Sequence, residues 1–500
     1  MRVELKKFSY KYMEYEKVLL ERELQSNFPN ADIVVSKNTI CLDNISEDEL
    51  ERLKYITYVK EYKIGDTVYD TLQAELEHSN LEGHEPRRQK TRYSTHGLHE
   101  YKGKYNPQIV HGIIDIMGIS RNSKVLDPFC GSGTTMLECA HYDMQSIGCD
   151  INPLAVFLSN TKIKSLGLDV NYVRQLVDRI VKEVEKKSGK EKREGSDSRI
   201  EYLCKWIPED ILDKLEIMKK LFEKEEKIVC DFLKVTVSDL IREYSNQEPT
   251  DLRIRKRTSP FPETPFLEKW LSCVKKYLDD IESIQRIKPI DINNNYAILC
   301  DIRKGIDILG QCRYDAIMTS PPYATALPYI DTQRISLVWL GLCSPNQIMA
   351  LESSLIGSRE FISIEKKKWF EEFKINAQNL PEDIELLIQE LYNNLSETDG
   401  FRKQVVPILL YRYFADMKKM FNNTYKVLKS KGKFALIVGN NKTTLGGKKY
   451  IIDTPYWLAK LSETSGWIVD ELFPLQTYKR YGLNSKNAID SETLIILHKG

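Results

Sequence analysis

The segment Lys124-Val-Leu-Asp-Pro-Phe-Cys-Gly-Ser-Gly-Thr134 constrains this chain more than any other. A buried-strand pattern ends at Leu126, glycines follow at 131 and 133, and Thr134 to Ala140 reads as the start of a helix. Without a Cβ at Gly131 and Gly133, the backbone can turn tightly and approach a ligand closely. Strand, glycine turn and helix make the first half of a nucleotide-binding βαβ unit. Gln145-Ser-Ile-Gly-Cys-Asp150 then reads as the second strand. Asp150 ends it about 20 residues past the glycines, where a carboxylate accepts hydrogen bonds from both ribose hydroxyls.

That spacing serves nicotinamide dinucleotides and S-adenosylmethionine alike, but the loop favours the second. Met136 stands where G-x-G-x-x-G has its third glycine, so the helix is not drawn in close for a pyrophosphate. Asp127 at the strand tip would repel phosphates and suits the ammonium of a methionine moiety. Asn152-Pro-Leu-Ala155 turns the chain into the next helix, with Pro153 near its first turn.

A second strand-to-loop segment, Tyr314-Asp-Ala-Ile-Met-Thr-Ser-Pro-Pro-Tyr323, lies far downstream. Two consecutive prolines continue neither strand nor helix, so the backbone is held extended with its carbonyls free as acceptors. An exocyclic amine on cytosine or adenine is a poor nucleophile, because its lone pair is delocalised into the ring. Acceptors on its two hydrogens draw the nitrogen toward a tetrahedral shape; Ser320 Oγ and the Pro321 carbonyl are the candidates. Tyr323 offers a flat face for stacking, worth about 1–3 kcal/mol.

The pair of loops resembles the motifs of the DNA amino-methyltransferases of the cytosine-N(4)/adenine-N(6) type, F-x-G-x-G and [DNS]-P-P-[YFW]. The resemblance implies S-adenosyl-L-methionine as cofactor and a duplex-DNA substrate with its target base flipped out. It places Ser320, Pro321, Pro322 and Tyr323 at the catalytic centre. Asp127, Pro128, Phe129, Gly131, Gly133, Thr134, Asp150, Ile151 and Asn152 would line the cofactor. Upstream, His96-Gly-Leu-His-Glu-Tyr-Lys-Gly-Lys-Tyr-Asn-Pro-Gln108 matches in type a segment closing over the methionine end, through Lys104, Tyr105 and Pro107. Tyr296-Ala-Ile-Leu-Cys-Asp301 is another strand ending in an acid, so Asp301 and Ile302 would meet the adenine. Serine before the two prolines goes most often with cytosine 4-amino methylation, Asp or Asn with adenine. An RNA (tRNA) methyltransferase on the same core, an inactive nucleic-acid-binding protein and a dinucleotide oxidoreductase are the rival readings. A cognate restriction enzyme would be the natural partner of such an enzyme.

The remaining sequence sets bounds. The expected fold class is α/β, a doubly wound, mostly parallel, seven-stranded Rossmann-like methyltransferase sheet with helices on both faces. Residues 1–65 suit a small split-βαβ, ferredoxin-like domain, and 66–94 read as a polar linker. Residues 95–165 and 290–500 form the expected catalytic domain. A Lys/Glu-rich helical insertion covers 166–289, with a second at 361–403; either could recognise the target sequence. The chain has 500 residues, 42% hydrophobic and 29% charged, and no apolar run of membrane length, so a cytoplasmic protein without membrane contact is expected. Ten cysteines form no C-x-x-C pair, and His96 and His99 have no further ligands at metal spacing, so no metal is expected. Net charge is +1, which leaves nucleic-acid binding to local basic stretches such as Arg87, Arg88, Lys90, Arg92, Lys102 and Lys104.

Overall fold

The computed structural model describes residues 1–78, 88–189, 197–304, 306–324, 328–361, 363–476 and 491–500. The N-terminal sheet contains β1 (Val3–Lys6), β2 (Asp32–Val35), β3 (Thr39–Asp43), β4 (Glu61–Ile64) and β5 (Thr67–Asp70). Its strand order is β2-β3-β1-β4-β5, antiparallel throughout. The first four strands follow the split-βαβ arrangement, and β5 adds an edge. Alternation drives the pairing: Val3 and Leu5 of β1 and Ile40 and Leu42 of β3 point to one buried face. Residues 66–94 depart from the expected linker. They supply β5 and the helix Leu72–His78, whose Leu72, Ala74 and Leu76 are buried.

The larger sheet has β6 (Lys124–Asp127), β7 (Gln145–Asp150), β8 (Asn295–Leu299), β9 (Tyr314–Thr319), β10 (Leu428–Gly439), β13 (Trp467–Gln476) and β14 (Ser491–Lys499). Between β10 and β13 lies a hairpin the sequence reading did not anticipate, β11 (Asn441–Leu445) with β12 (Lys448–Ile452). The seven strands run in the order β13-β14-β10-β9-β6-β7-β8, and only β14 is antiparallel to its neighbours. This is a mixed α/β sheet of the Rossmann-like methyltransferase type. Strand order reverses beside β6, so the crevice for ligands opens at the carboxyl ends of β6, β7 and β9.

The two sheets share one apolar core. Leu19, Leu20 and Leu24 of the helix Glu14–Asn27 belong to the same buried cluster as Ile109 and Ile113 of the helix Pro107–Ile116. Residues 166–289 carry the helices Val170–Lys187, Glu209–Phe222, Lys227–Ile241 and Phe266–Ile287 around a separate core that includes Trp270 and Phe232. Residues 361–403 contribute Ser363–Lys374 and Glu382–Asn393. A helix, Tyr329–Leu340, follows the catalytic loop. Among the described residues no helix is long and apolar enough to cross a membrane.

Candidate active site

Gly131 and Gly133 both adopt positive φ, +50° and +85°, which turns the loop from β6 into the helix Thr134–His141. A Cβ on Gly133 would stand 2.8 Å from Ser159 Oγ, so the close approach requires glycine there. Met136, in place of a third glycine, packs over β7, where Gly148 leaves it room.

Asp150 sits at the end of β7. Its Oδ2 accepts from Gly131 N at 3.0 Å and its Oδ1 from Asn152 N at 2.8 Å. Burial, with a contribution from Asp127, pushes its carboxyl up to about 6. Asn152 caps the helix Pro153–Lys164 through Leu154 N, and its amide donates to Gln333 at 2.7 Å.

An open cleft lies over these residues. Pro128, Phe129, Gly131, Thr134, Asp150, Ile151 and Asn152 line it from the cofactor side. Lys104 and Tyr105 close one wall, Asp301 and Ile302 another, and Ser320 with Pro322 reach it from the end of β9. Both loops therefore face one space, although their residues lie far apart in sequence.

Other expected residues fall elsewhere. Asp127 is buried beneath the loop and does not line the cleft. Its carboxylate is filled by Thr135 Oγ1 at 2.5 Å, Thr319 Oγ1 at 2.6 Å and Phe129 N at 3.1 Å. Burial pushes it up to about 6. Its place is a strut between loops rather than a partner for an ammonium. Gly133, Pro107, Pro321 and Tyr323 also stand outside the lining. Pro107 opens its helix behind the Asn106 cap, and the Tyr323 hydroxyl donates to Glu492. Asp301 lines the cleft, but Arg303 Nε and Nη2 grip its two oxygens at 2.8 and 2.9 Å. Burial alone would raise that carboxyl, yet the guanidinium holds it below the usual range. Arg303 also bonds Asp416 at 2.9 Å and the Ser354 carbonyl at 2.7 Å, clamping β8 to the long helix Val406–Val427.

Sequence reasoning missed the aromatic cover. Tyr101 lies over Gly131, where an added Cβ would meet its ring at 3.3 Å, and Tyr329 lies over Gly103, which has φ +81°. Nothing in either local pattern points to a ligand; only the fold brings both to the cleft.

The expected basic stretch is not one exposed row. Lys104 is turned into the cleft wall, and burial pushes its ammonium well below the ordinary value. Lys90 Nζ donates to the Glu77 carbonyl at 3.0 Å, and Arg87 lies outside the described residues.

His96, His111 and His141 surround Glu138, all buried. His96 Nε2 and His111 Nε2 each contact a Glu138 oxygen, His141 Nδ1 lies at 3.1 Å, and Tyr93 donates at 2.9 Å. His96, Glu138 and His141 place one donor atom each within 4.8 Å of one another. His96 thus does meet further metal-ligating groups, which its sequence spacing hid. Each contact is satisfied with imidazole or phenol donating to the carboxylate, and Ser94 bonds the far nitrogen of His141 at 2.9 Å. The cluster reads as a hub that fastens residues 93–105 to the helix behind the glycine turn. His99 is not part of it, bonding Glu100 O and Ser238 instead.

The seven-stranded sheet, with the glycine turn, Asp150 and Ser320 at one cleft, is of the Rossmann-like methyltransferase type. Family comparison agrees: a family described as "DNA methylase" matches residues 6–160, and one described as "D12 class N6 adenine-specific DNA methyltransferase" matches 103–286. Both matches and the relatives below make the chain similar to the S-adenosylmethionine-dependent DNA amino-methyltransferases of the N4/N6 type. It is 22% identical over 428 residues to the type II methyltransferase M.BsoBI of Geobacillus stearothermophilus, covering 77% of this chain and 81% of that one. With the type II methyltransferase M.MvaI of Kocuria varians it shares 22% over 374 residues, covering 70% and 78%. A solved structure of TrmN from Thermus thermophilus aligns over 100% of this chain and 99% of that one, at 9% identity and a TM-score of 0.32.

Proposed function

We propose that the chain is a type II, site-specific DNA methyltransferase acting on the 4-amino group of cytosine. The carrying observation is that Ser320 opens onto the same cleft as Asp150 and Gly131. The donor set suits S-adenosylmethionine: Asp150 for the ribose, Phe129, Ile151 and Ile302 for the adenine, and the wall at Lys104 and Tyr105 for the methionine end. When bound, the cofactor supplies an electrophilic methyl group. The chain's own part is placement. Ser320 Oγ and the Pro321 carbonyl accept the two amine hydrogens and concentrate the lone pair, while Tyr323 stacks on the flipped base. The amine then reacts by direct displacement, and no protein nucleophile is required.

A second reading, the 6-amino group of adenine, is favoured by the match of residues 103–286 to the adenine-specific family. The names of the relatives support a restriction-modification setting, with a cognate nuclease as partner.

The test is transfer of radiolabelled methyl from S-adenosylmethionine to duplex DNA and to total RNA, with product nucleosides separated. N4-methylcytosine in DNA is expected. N6-methyladenine would move the reading to the second base, and label in RNA alone would overturn the DNA substrate.

A further inference from the structure

We propose that Glu492 is a positioning residue for methyl transfer, acting through Tyr323; this rests on Tyr323 being the stacking partner of the target base. The topology puts Glu492 there. The other six strands of the large sheet run parallel, and their carboxyl ends share the edge where the cleft opens. β14 runs the opposite way, so its first residues reach that same edge. Glu492 pairs there with Gly439 at the end of β10 and Leu475 near the end of β13. The Tyr323 hydroxyl donates to its Oε1, and both side chains are half-buried.

The contact supplies what the acceptor loop lacks. Pro321 and Pro322 stiffen the backbone, but the tyrosine ring still turns about two bonds of its own. Pinning its far end to a sheet residue holds the ring in one plane. The loop also carries serine where an acid could stand, and the oxygens of nearby Asp127 are already filled. Glu492 brings a carboxylate to the opposite end of the ring. A phenol donating to a carboxylate has a more electron-rich face. As the amine gives up its lone pair the base becomes cationic, and its attraction to that face grows toward the transition state. The contribution therefore falls on turnover rather than on ground-state binding.

The experiment compares kcat, KM for DNA and the S-adenosylmethionine dissociation constant in wild type, E492Q, Y323F and Y323F/E492Q. Each single change is expected to lower kcat by up to about tenfold, because the ring is no longer pinned and its face is less electron-rich. KM and cofactor affinity should stay near wild type, and the double variant should be no worse than either single one. Losses that multiply to roughly a hundredfold would overturn the coupling. So would an unchanged kcat in E492Q, or a loss confined to cofactor binding. Y323F keeps the ring and the acid and removes only the hydroxyl, so it tests the link even if E492Q folds poorly. Should wild type methylate only RNA, the DNA reading falls, while the same four ratios measured on that RNA still judge the pair.

Discussion

Asp127 and Thr319, 192 residues apart, share a hydrogen bond of 2.6 Å that joins the cofactor loop to the catalytic loop at their roots. Both side chains are buried. The acid closing β6 therefore sets the distance between glycine turn and acceptor loop. It does so from beneath, without lining the space between them.

Thr319→Val keeps the shape of the strand end but removes that bond, leaving Asp127 Oδ1 with Phe129 N alone. A buried acceptor that loses a hydroxyl donor costs about 1–3 kcal/mol. We expect lower stability in urea, and a larger loss in turnover than in cofactor affinity, because losing the tie to Asp127 loosens the catalytic loop and leaves Asp150 in place. Equal losses in both would show that Thr319 only supports the fold.

The parts legible in sequence were those written in a local pattern. The strand patterns running into Gly131 and into Pro321 place both loops, because each run is apolar and is stopped by residues that cannot continue it. What sequence could not show depends on side chains meeting across the fold. Arg303 lies two residues from Asp301, yet its other partners are Asp416 and the Ser354 carbonyl. Glu138 reads as an ordinary helical residue until three histidines from three segments close on it. The linker reading failed for a different reason. Leu72, Ala74 and Leu76 are too few in a polar stretch to signal a helix, but they find an apolar surface to pack against.

If Asp150 holds the ribose as proposed, Asp150→Ala should weaken S-adenosylmethionine binding by about 3 kcal/mol, roughly a hundredfold. The pH dependence has a definite sign. Burial raises this carboxyl to about 6 in the free protein, and the ionised form is the better acceptor. Affinity should be level above about pH 7 and fall about tenfold per unit below the carboxyl's own value. Titration calorimetry from about pH 5 to about pH 8 checks it. A wild-type profile flat through that range, or one unchanged by Asp150→Asn, would remove Asp150 from the ribose.

Ser320→Ala should leave cofactor affinity near wild type, since Asp150 and the glycine turn are untouched. Losing one acceptor on the amine should cost about 2–4 kcal/mol in turnover, or about 30-fold to a thousandfold. Single-turnover methyl transfer separates the two. A cofactor affinity that falls as far as the rate would place Ser320 in the cofactor wall instead.

Glu138→Gln replaces one acceptor oxygen with a donor among three imidazoles and a phenol. Losing a hydrogen bond to a buried charged group costs about 1.5–3 kcal/mol. The three imidazoles outweigh the effect of burial and hold the Glu138 carboxyl well below the usual range. Its folded value is thus below its unfolded value of about 4.3, so its contribution is present above that pH and is lost in acid. The stability gap between wild type and Glu138→Gln, measured by chemical denaturation, should be widest near neutrality and narrow below about pH 4. A gap that stays constant into acid would mean that charge plays no part in the hub.

Removing residues 1–65 tests whether the N-terminal sheet is a detachable appendage. Leu19, Leu20 and Leu24 pack into the same core as Ile109 and Ile113, behind the segment that carries Lys104 and Tyr105. Arg22 also grips Glu471 of β13 through two hydrogen bonds, at 2.7 and 3.0 Å. Truncation would leave an apolar helix face in water, where each large side chain buried in the intact chain is worth about 1.5–3 kcal/mol. The shortened chain should therefore aggregate or melt well below the intact one, and cofactor affinity should fall with it. A truncated chain that stays monomeric and binds S-adenosylmethionine as tightly as the whole would show instead that the catalytic sheet closes its own core.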